Sequence, residues 1–304
     1  MTGAMFFSPN LTGPLHIGNA VVMWLTAREA QLRGLRFVIC LDDYPISIDI
    51  PGHARPKPSV LDRVTTVQSC MAACELLGIE NAEYHYRSSY VCRYFEVFEA
   101  MLETGLVRAV DATMYAPITT PVAEDAIVGT LCDTYDLVRA CYCFGRPFVT
   151  LVDFFDFKVP LHIRGQDISH AAAPELRLWP LMCQVLGDRP PMEYAHIPQI
   201  ARGDGTPLHK SALENSAARI GIDSGEEPNP YMFEVWAQRW ENAEERRAAL
   251  EYIVLMPGKP YALSNIYPQP KTLLMYDAET HTVKQHEEKS ARRRELERMG
   301  QWPN

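Results

Sequence analysis

Two residues suited to holding phosphate groups, His16 and Lys210, lie far apart in the sequence. His16 follows a short apolar run and a turn rich in Asn, Gly and Pro, and it precedes the apolar-periodic segment 20–32. This order predicts a strand-to-helix turn with His16 and Gly18 at the helix N-terminus, where backbone N–H groups lack intrahelical partners and the dipole favours anions. Gly18 would let a phosphate approach the backbone, and His16 would add a side-chain donor. Lys210 follows a glycine-containing loop, so it would supply a mobile positive charge.

A carboxylate and a guanidinium complete this set of candidate residues. Asp42 follows the apolar run 36–41, and Arg164 follows the apolar run 159–163. If both runs are parallel strands, Asp42 and Arg164 lie beyond the strand C-termini, where ligands bind in such sheets. A carboxylate can hold an ammonium group through charge-assisted hydrogen bonds. The four side chains would therefore suit activation of a carboxylic acid by ATP, through positioning and stabilisation of charge on the phosphates.

The elements that must position these residues follow a strand–helix–strand pattern. Strands are predicted over 4–7, 36–41, 148–152 and 159–163, and helices over 20–32, 60–77, 90–104 and 172–186. A strand, a crossover helix and a second strand at this spacing form a βαβ unit with a parallel sheet. The sequence therefore predicts an α/β protein with a Rossmann-like, doubly wound parallel sheet. Residues 46–59 are rich in Pro and Gly and predict a surface loop, and residues 115–127 are predicted to be irregular.

Composition narrows the classes of protein to consider. The formal net charge is −9, which argues weakly against a broad nucleic-acid surface, although a local basic patch remains compatible with it. No apolar run reaches the roughly 18–20 residues that a membrane span needs, and no signal-peptide pattern is present. The eight cysteines lack the spacing of a disulfide scaffold, so a reduced, cytoplasmic protein is expected. Cys132, Cys141 and Cys143 could contribute to a zinc site, but no fourth ligand is evident.

Three motifs carry a resemblance to a known family. The run Pro-Asn-Leu-Thr-Gly-Pro-Leu-His-Ile-Gly at 9–18 resembles the HIGH signature of class I aminoacyl-tRNA synthetases, and its ending in Gly-Asn is most similar to the glutamyl/glutaminyl branch. His-Ile-Arg-Gly-Gln-Asp at 162–167 resembles that branch's His-Val-Ile-Arg-Gly-Glu-Asp. Tyr-Ala-His at 194–196, followed by Pro-Leu-His-Lys-Ser at 207–211, resembles the approach to the mobile KMSKS lysine loop. The motifs occur in the order that the family has.

The resemblance implies the residues of two binding sites. His16 and Lys210 would be catalytic, ATP and Mg²⁺ would be the cofactors, and the metal would bridge pyrophosphate oxygens mostly through water rather than bind a protein ligand set. Asp42 falls on the carboxylate that holds the substrate α-amino group in the family. The implied ATP site comprises Ser8, Asn10, Gly13, His16, Gly18, Asn19, Gly165, Asp167 and Lys210. The implied amino-acid site comprises Phe6, Ser8, Asp42 and Arg164.

The same resemblance divides the chain into four parts. Residues 1–104 would form the first half of the nucleotide-binding core and 146–212 the second half with the lysine loop. Residues 105–145 would be a shortened connective insertion, which binds the tRNA acceptor stem in the family. Residues 213–304 would form a helical C-terminal region that ends in a mixed charge run at 289–298, and no anticodon-binding domain is recognisable.

Several departures from the family pattern bear on the substrate. The arginine that reads the side-chain carboxylate of glutamate is replaced by Phe6, and the arginine of the Arg-Ile-Glu-Asp segment is replaced by Cys40. Pro207 and His209 replace the first lysine and the serine of the lysine loop. Because a binding site discriminates strongly through its polar groups, we expect that free glutamate is not the preferred substrate. A smaller or more apolar amino acid fits Phe6 and Cys40 better.

Alternatives remain open for the acceptor and for activity itself. The activated amino acid could pass to a tRNA, to a carrier or to a small molecule. A compact tRNA-charging enzyme of the glutamyl-queuosine type has a similar length. Such enzymes usually keep the arginine that Phe6 replaces here and a zinc-type cysteine set in the insertion, and neither is seen in this sequence. A catalytically degenerate paralogue that binds a nucleotide or a partner would account for Pro207 and His209. A nucleotidylyltransferase that shares the His-X-Gly turn is a minor option.

Overall fold

A computed structural model describes residues 3–43, 60–105, 108–110, 113–116, 126–131, 142–144, 146–166, 172–190, 192–205, 208, 229–255 and 271–288. In chain order its elements are β1 (Ala4–Phe7), α1 (Ile17–Leu32), β2 (Arg36–Leu41), α2 (Val60–Leu77), β3 (Glu83–Tyr86), α3 (Val91–Glu103), β4 (Arg108–Val110), β5 (Thr113–Ala116), β6 (Ala126–Leu131), β7 (Tyr142–Phe144), α4 (Arg146–Asp156), β8 (Leu161–Gly165), α5 (Ala172–Leu186), β9 (Glu193–Ile197), β10 (Gln199–Arg202), α6 (Phe233–Ala237), α7 (Ala243–Leu255), β11 (Lys271–Asp277) and β12 (Thr282–Glu288). A 3₁₀ turn, Arg87–Tyr90, links β3 to α3. Among these residues, no helix is both long and apolar enough to cross a bilayer.

Parallel strands form the centre of the fold, as predicted. β1, β2 and β3 pair in parallel in that order, and α1 and α2 are the crossover helices between them. β8 and β9 form a second parallel pair that is joined by α5, and β8 contacts β1. The chain therefore has the Rossmann-like α/β architecture that the strand–helix–strand pattern indicated, with helices between successive parallel strands.

β1 and β2 bury both faces, and a hydrophobic cluster covers each face. Met5 and Phe7 of β1 lie in the cluster that includes α1, α2, α6 and α7, whereas Ala4 and Phe6 lie in the cluster that includes α3, α4 and α5. β2 alternates in the same way. This alternation follows from the two-residue period of a strand, and burial on both faces explains why the strands are apolar throughout.

The prediction of a strand at 148–152 was wrong. These residues belong to the helix α4, which begins at Arg146 and has Pro147 in its first turn. A short, fully buried apolar run has no exposed face to reveal its period, so a helix and a strand look alike in the sequence. Proline in a first helical turn loses no intrahelical hydrogen bond, and it is the signal that favoured the helix.

The prediction of a wholly helical C-terminal region was also wrong. Residues 233–237 and 243–255 are helical, but β11 and β12 form an antiparallel hairpin, and β11 pairs in parallel with β10. The amphipathic segment 232–255 is two helices, because Asn242 accepts a hydrogen bond from the N–H of Glu245 and begins α7. The charge run 289–298 lies outside the described residues.

The segment 105–145 contains β4–β7, which form a four-stranded antiparallel sheet. The ends of the segment predicted to be irregular, 115–127, lie in β5 and β6, so that prediction was wrong at both ends. Residues 117–125 and the loop predicted at 46–59 lie outside the described residues. The division of the chain into four functional parts stays a prediction.

Candidate active site

His16 is the N-cap of α1, which is close to the position that the sequence predicted. Its Nδ1 accepts a hydrogen bond from the N–H of Asn19 at 3.3 Å, and Oδ1 of Asn19 accepts one from the N–H of His16 at 3.4 Å. In the neutral ring, an accepting Nδ1 leaves the proton on Nε2. His16 therefore offers an Nε2–H donor at the start of a helix, where the dipole favours an anion.

Gly18 lies directly against the His16 ring. A methyl group on Gly18 would lie 2.9 Å from Cε1 and 3.0 Å from Nδ1 of His16, and it would be 4.0 Å from Cβ of Ile200. Such short contacts would force the imidazole to move. The glycine therefore leaves the space that the imidazole of the predicted phosphate donor occupies, in addition to any direct role in letting a phosphate approach the backbone.

The turn before His16 is held by a helix from which the sequence predicted no functional residue. Thr66 of α2 accepts a hydrogen bond from the N–H of Gly13 at 3.1 Å and donates one to its carbonyl at 2.7 Å. Ser69 accepts a hydrogen bond from the N–H of Leu15 at 3.0 Å. Both side chains are buried, and two small polar residues three positions apart on an otherwise apolar helix face are the signal that could have found them.

A second brace comes from residues 231–233. The N–H of Ile17 donates to the carbonyl of Tyr231 at 3.0 Å, and the N–H of Phe233 donates to the carbonyl of Leu15 at 3.0 Å. The backbone donors of Gly13, Leu15 and Ile17 are therefore already hydrogen-bonded. In this conformation the turn presents the His16 side chain, rather than these three amides, to a phosphate.

Asp42 lies at the C-terminal end of β2, where it meets Arg87. The NH1 group of Arg87 lies 3.4 Å from Oδ2 of Asp42, Nε donates to Asp153 at 2.9 Å and NH2 donates to Thr150 at 3.0 Å. The side chain of Asp42 is 14% exposed, whereas that of Arg87 is 4% exposed. Arg87 thus connects the predicted ammonium-binding carboxylate to the helix α4, and the sequence did not predict that role.

Asp153 accepts hydrogen bonds from several buried groups. Oδ1 accepts from Tyr94 at 2.7 Å and lies 3.2 Å from Nε2 of His85, while Oδ2 lies 3.8 Å from Sγ of Cys40. Burial raises the pKa of Cys40 to about 12, so this thiol stays protonated near neutral pH. Cys40, His85 and Asp153 are close enough together to share a metal ion. They fit one poorly, because the thiol is protonated and Arg87 already neutralises the carboxylate.

Arg164 lies at the end of β8 and is tied into a buried ion pair. Its NH1 group lies 3.2 Å from Oε2 of Glu175, its Nε donates to Nε2 of His196 at 3.2 Å, and its guanidinium lies 4.4 Å from the ring centre of Tyr194. Tyr194 also donates to Glu175 at 2.6 Å. The remaining NH2 group is buried and has no partner among the described residues. Arg164 is thus neutralised by Glu175 but keeps one donor unused.

The remaining predicted site residues lie in the core, near strand ends or outside the described residues. Phe6 is fully buried and packs against Phe157 at 4.9 Å between ring centres, so its ring belongs to the core. Ser8 and Asn10 are exposed after β1, and Gly165 is the last residue of β8. The predicted ATP-binding residue Asp167 and the predicted catalytic residue Lys210 lie outside the described residues.

The strand that leads into the lysine loop lies beside the start of α1. β10 contacts α1, and Ile200 is the residue closest to Gly18 on this side. After the turn at 203–205, the N–H of Leu208 donates to the carbonyl of Ile200 at 3.3 Å, and Leu208 is buried in the same core cluster as Ile17. Leu208, two residues before Lys210 in the sequence, is therefore held beside the strand that contacts the His16 helix.

Comparison with known proteins supports the fold. No protein-family model and no curated protein matches the chain. A structure from Campylobacter jejuni assigned as an arginyl-tRNA synthetase matches 92% of this chain with a TM-score of 0.51 at 14% identity. Glutamate-tRNA ligase structures from Elizabethkingia anophelis and Elizabethkingia meningosepticum each match 71% of this chain with TM-scores of 0.46, at 13% and 15% identity.

The match to the first structure shows a class I synthetase-like fold, and at that identity the likeness concerns the fold alone. The chain covers 66% of that structure, just under two thirds, and 54% of each of the other two.

Proposed function

We propose that this chain is an ATP-dependent ligase that activates the carboxyl group of an amino acid as an aminoacyl-adenylate. The observation that carries the proposal is the contact of β10 with the N-terminus of α1. This contact brings the stem of the lysine loop to the helix that carries His16, although some 190 residues separate the two motifs. Two phosphate-binding elements from opposite halves of a Rossmann-like core are what a triphosphate substrate requires.

In the proposed reaction, a substrate carboxylate oxygen attacks the α-phosphorus of ATP. The new bond joins that oxygen to phosphorus, the bond to the bridging oxygen of the β-phosphate breaks, and pyrophosphate leaves with the electron pair. No protein nucleophile is needed. His16 would donate from Nε2 to a phosphate oxygen, and Lys210 would stabilise the charge that grows on the phosphates. Bound Mg²⁺ would neutralise pyrophosphate oxygens, mostly through water.

The charges at the strand ends support a substrate without an acidic side chain. Arg164 is paired with Glu175, and Arg87 is paired with Asp153 and lies against Asp42. Both arginines of this edge are therefore already neutralised by carboxylates. A second carboxylate on the substrate would find no unpaired cation among the described residues there, and Asp42 is the carboxylate proposed to hold the α-ammonium group.

For the acceptor of the activated amino acid, the proposal names only classes of molecule. We infer transfer to a tRNA acceptor stem, a carrier or a small molecule, and the segment 105–145, which includes β4–β7, is the part proposed to contact the acceptor. A catalytically inactive nucleotide-binding protein is the second candidate. It is favoured by Pro207 and His209, which replace the first lysine and the serine of the lysine loop.

ATP–pyrophosphate exchange measured with each amino acid in turn tests the proposal. We expect exchange with one or a few uncharged or basic amino acids, and a loss of two or more orders of magnitude in His16→Ala and Lys210→Ala. Lys284→Ala, which alters an exposed lysine on β12, is the matched control and should exchange at the wild-type rate. Nucleotide binding without exchange would favour the inactive alternative, and exchange with glutamate alone would overturn the inference about the substrate.

A further inference from the structure

A pocket with a volume of about 410 Å³ lies between α7 and the β11–β12 hairpin. None of its lining residues belongs to the candidate active site. Its walls are formed by Trp240, Glu245, Ala248, Ala249, Tyr252, Tyr276 and His281. The volume is in the range of small-molecule sites, and four of the seven side chains are aromatic rings.

One wall is a single stripe of α7. Residues 245, 248, 249 and 252 are spaced by three and four positions, so they lie on one face of the helix. The small side chains of Ala248 and Ala249 leave room for a ligand, and Glu245 and Tyr252 lie at the two ends of the stripe. Oε2 of Glu245 accepts a hydrogen bond from the N–H of Glu241 at 2.9 Å, which orients the carboxylate. Tyr252 is 49% exposed.

The opposite wall is a set of rings held by hydrogen bonds. Trp236 donates from Nε1 to the hydroxyl of Tyr276 at 2.8 Å, and that hydroxyl lies 2.7 Å from Nδ1 of His281. The indole can only donate, so the tyrosine oxygen accepts from Trp236, and the tautomer of His281 decides which group donates in the second hydrogen bond. His281 also packs against Trp240, with ring centres 5.1 Å apart. The rings are therefore fixed before any ligand arrives.

The backbone at His281 supports a constrained site. His281 has φ +56°, a left-handed conformation that is uncommon for residues other than glycine. The turn is secured by Asp277, which accepts hydrogen bonds from the N–H groups of Glu279 and Thr280. Strained residues held by their surroundings are frequent at binding sites. Here the strain places the imidazole between Tyr276 and Trp240.

We propose that this pocket binds a small organic cation with an N-alkylated ammonium group. Glu245 is the only carboxylate among the lining residues, and the aromatic rings of Trp240 and Tyr252 can attract a cation through their quadrupoles. Burial and the charge of Arg239 lower the pKa of His281, so the imidazole is neutral near pH 7 and does not oppose a cation. Arg239 lies near His281 but outside the lining, and Asp277 on the same hairpin offsets its charge.

Titration calorimetry of the full chain with choline tests the proposal, and 3,3-dimethyl-1-butanol, the uncharged isostere of choline, is the comparison ligand. We expect choline to bind about tenfold more tightly than the isostere, because only the cation gains from the rings and from Glu245. Equal affinities would show an apolar pocket without preference for charge and would overturn the proposal. If no heat of choline binding is detected even after the protein concentration in the titration is raised 20-fold, the proposal is overturned as well.

Variants separate the contribution of the rings from that of shape. Tyr252→Leu should weaken choline binding about fivefold or more, whereas Tyr252→Phe, which keeps an aromatic face, should bind as the wild type does. Glu245→Gln should weaken binding too, and Glu244→Gln, which removes an exposed neighbouring carboxylate outside the pocket, is its matched control. Unchanged binding in Tyr252→Leu would contradict the proposal. Since ATP–pyrophosphate exchange does not use this pocket, its outcome bears on the proposed ligase function alone.

Discussion

Nε of Arg87 lies 2.9 Å from Oδ2 of Asp153, and both side chains are closed off from solvent. Arg87 follows β3 in the first half of the core, whereas Asp153 lies on α4 in the second half. The pair therefore joins the two halves of the fold at the same edge where Arg87 also meets Asp42. An ion pair in this position links the packing of the core to the placement of the predicted ammonium-binding carboxylate.

Asp153→Ala should lower the free energy of unfolding by about 3–5 kcal/mol, because it removes the closest and most deeply buried carboxylate partner of Arg87. Urea denaturation followed by circular dichroism measures this. Glu29→Ala, which breaks the largely exposed i,i+4 pair with Arg33, should change the free energy by less than about 1 kcal/mol. Similar losses in both variants would show that Asp153 does not act as a buried partner.

Thr66→Val should destabilise the chain by about 1–3 kcal/mol, because valine has nearly the same shape but cannot bond to Gly13. The same change should reduce ATP–pyrophosphate exchange, since the turn that precedes His16 loses its brace. Thr65→Val, at the neighbouring position that makes no such bond to Gly13, should leave exchange unchanged. Thermal denaturation together with exchange rates gives both readouts. Loss of stability with wild-type exchange would mean that Thr66 serves the fold alone.

The central part of the fold could be predicted from the sequence because local signals agreed with one another. Ala4–Phe7, Arg36–Leu41, Val60–Leu77 and Ala172–Leu186 have the predicted type and the predicted ends. His16 lies at the helix start because a turn and an apolar-periodic run adjoin it. The segment 148–152 could not be assigned correctly, because burial on all sides removes the periodicity that distinguishes a helix from a strand.

Other parts of the site depend on contacts between distant residues, which no local pattern reveals. Thr66 bonds to Gly13 across 53 positions, and Arg87 bonds to Asp153 across 66. Arg164 was predicted to lie beside a substrate, but its contacts with Glu175, Tyr194 and His196 were not predicted. The hairpin β11–β12 was missed because β12 is largely polar and the pairing of β11 with β10 crosses about 70 residues.

Gly18→Ala should lower activity without lowering stability, whereas a mutation in the core lowers stability first. Alanine favours a helix over glycine by about 1 kcal/mol, so the free energy of unfolding should stay the same or rise slightly. The new methyl group would displace the His16 ring, so exchange should fall at least tenfold. Gly187→Ala provides no equivalent control because its φ is +95°. Ser89→Ala, on an exposed turn, is a better control. Exchange at the wild-type rate in Gly18→Ala would show that the position of the His16 ring is not critical.

Acid should destabilise the chain through His196, whose pKa is lowered to about 4 by burial and by the charge of Arg164. The unfolded chain binds a proton at this residue near pH 6.5, whereas the folded chain does so only near pH 4. The stability that depends on the neutral ring is therefore complete above pH 6.5 and is lost as the pH falls toward 4. Urea denaturation at intervals from pH 7.5 to 4.5 should show this decline.

The decline should be shallower in His196→Gln, because glutamine can accept the hydrogen bond from Nε of Arg164 but does not titrate. The buried His162, whose pKa is also lowered by burial, should leave a residual slope in that variant. The difference between the two curves should change below pH 6.5 and stay constant above it, since the folded and unfolded chains both hold a neutral residue 196 at higher pH. Parallel curves over the whole range would show that His196 does not contribute to the acid sensitivity and that other groups are responsible.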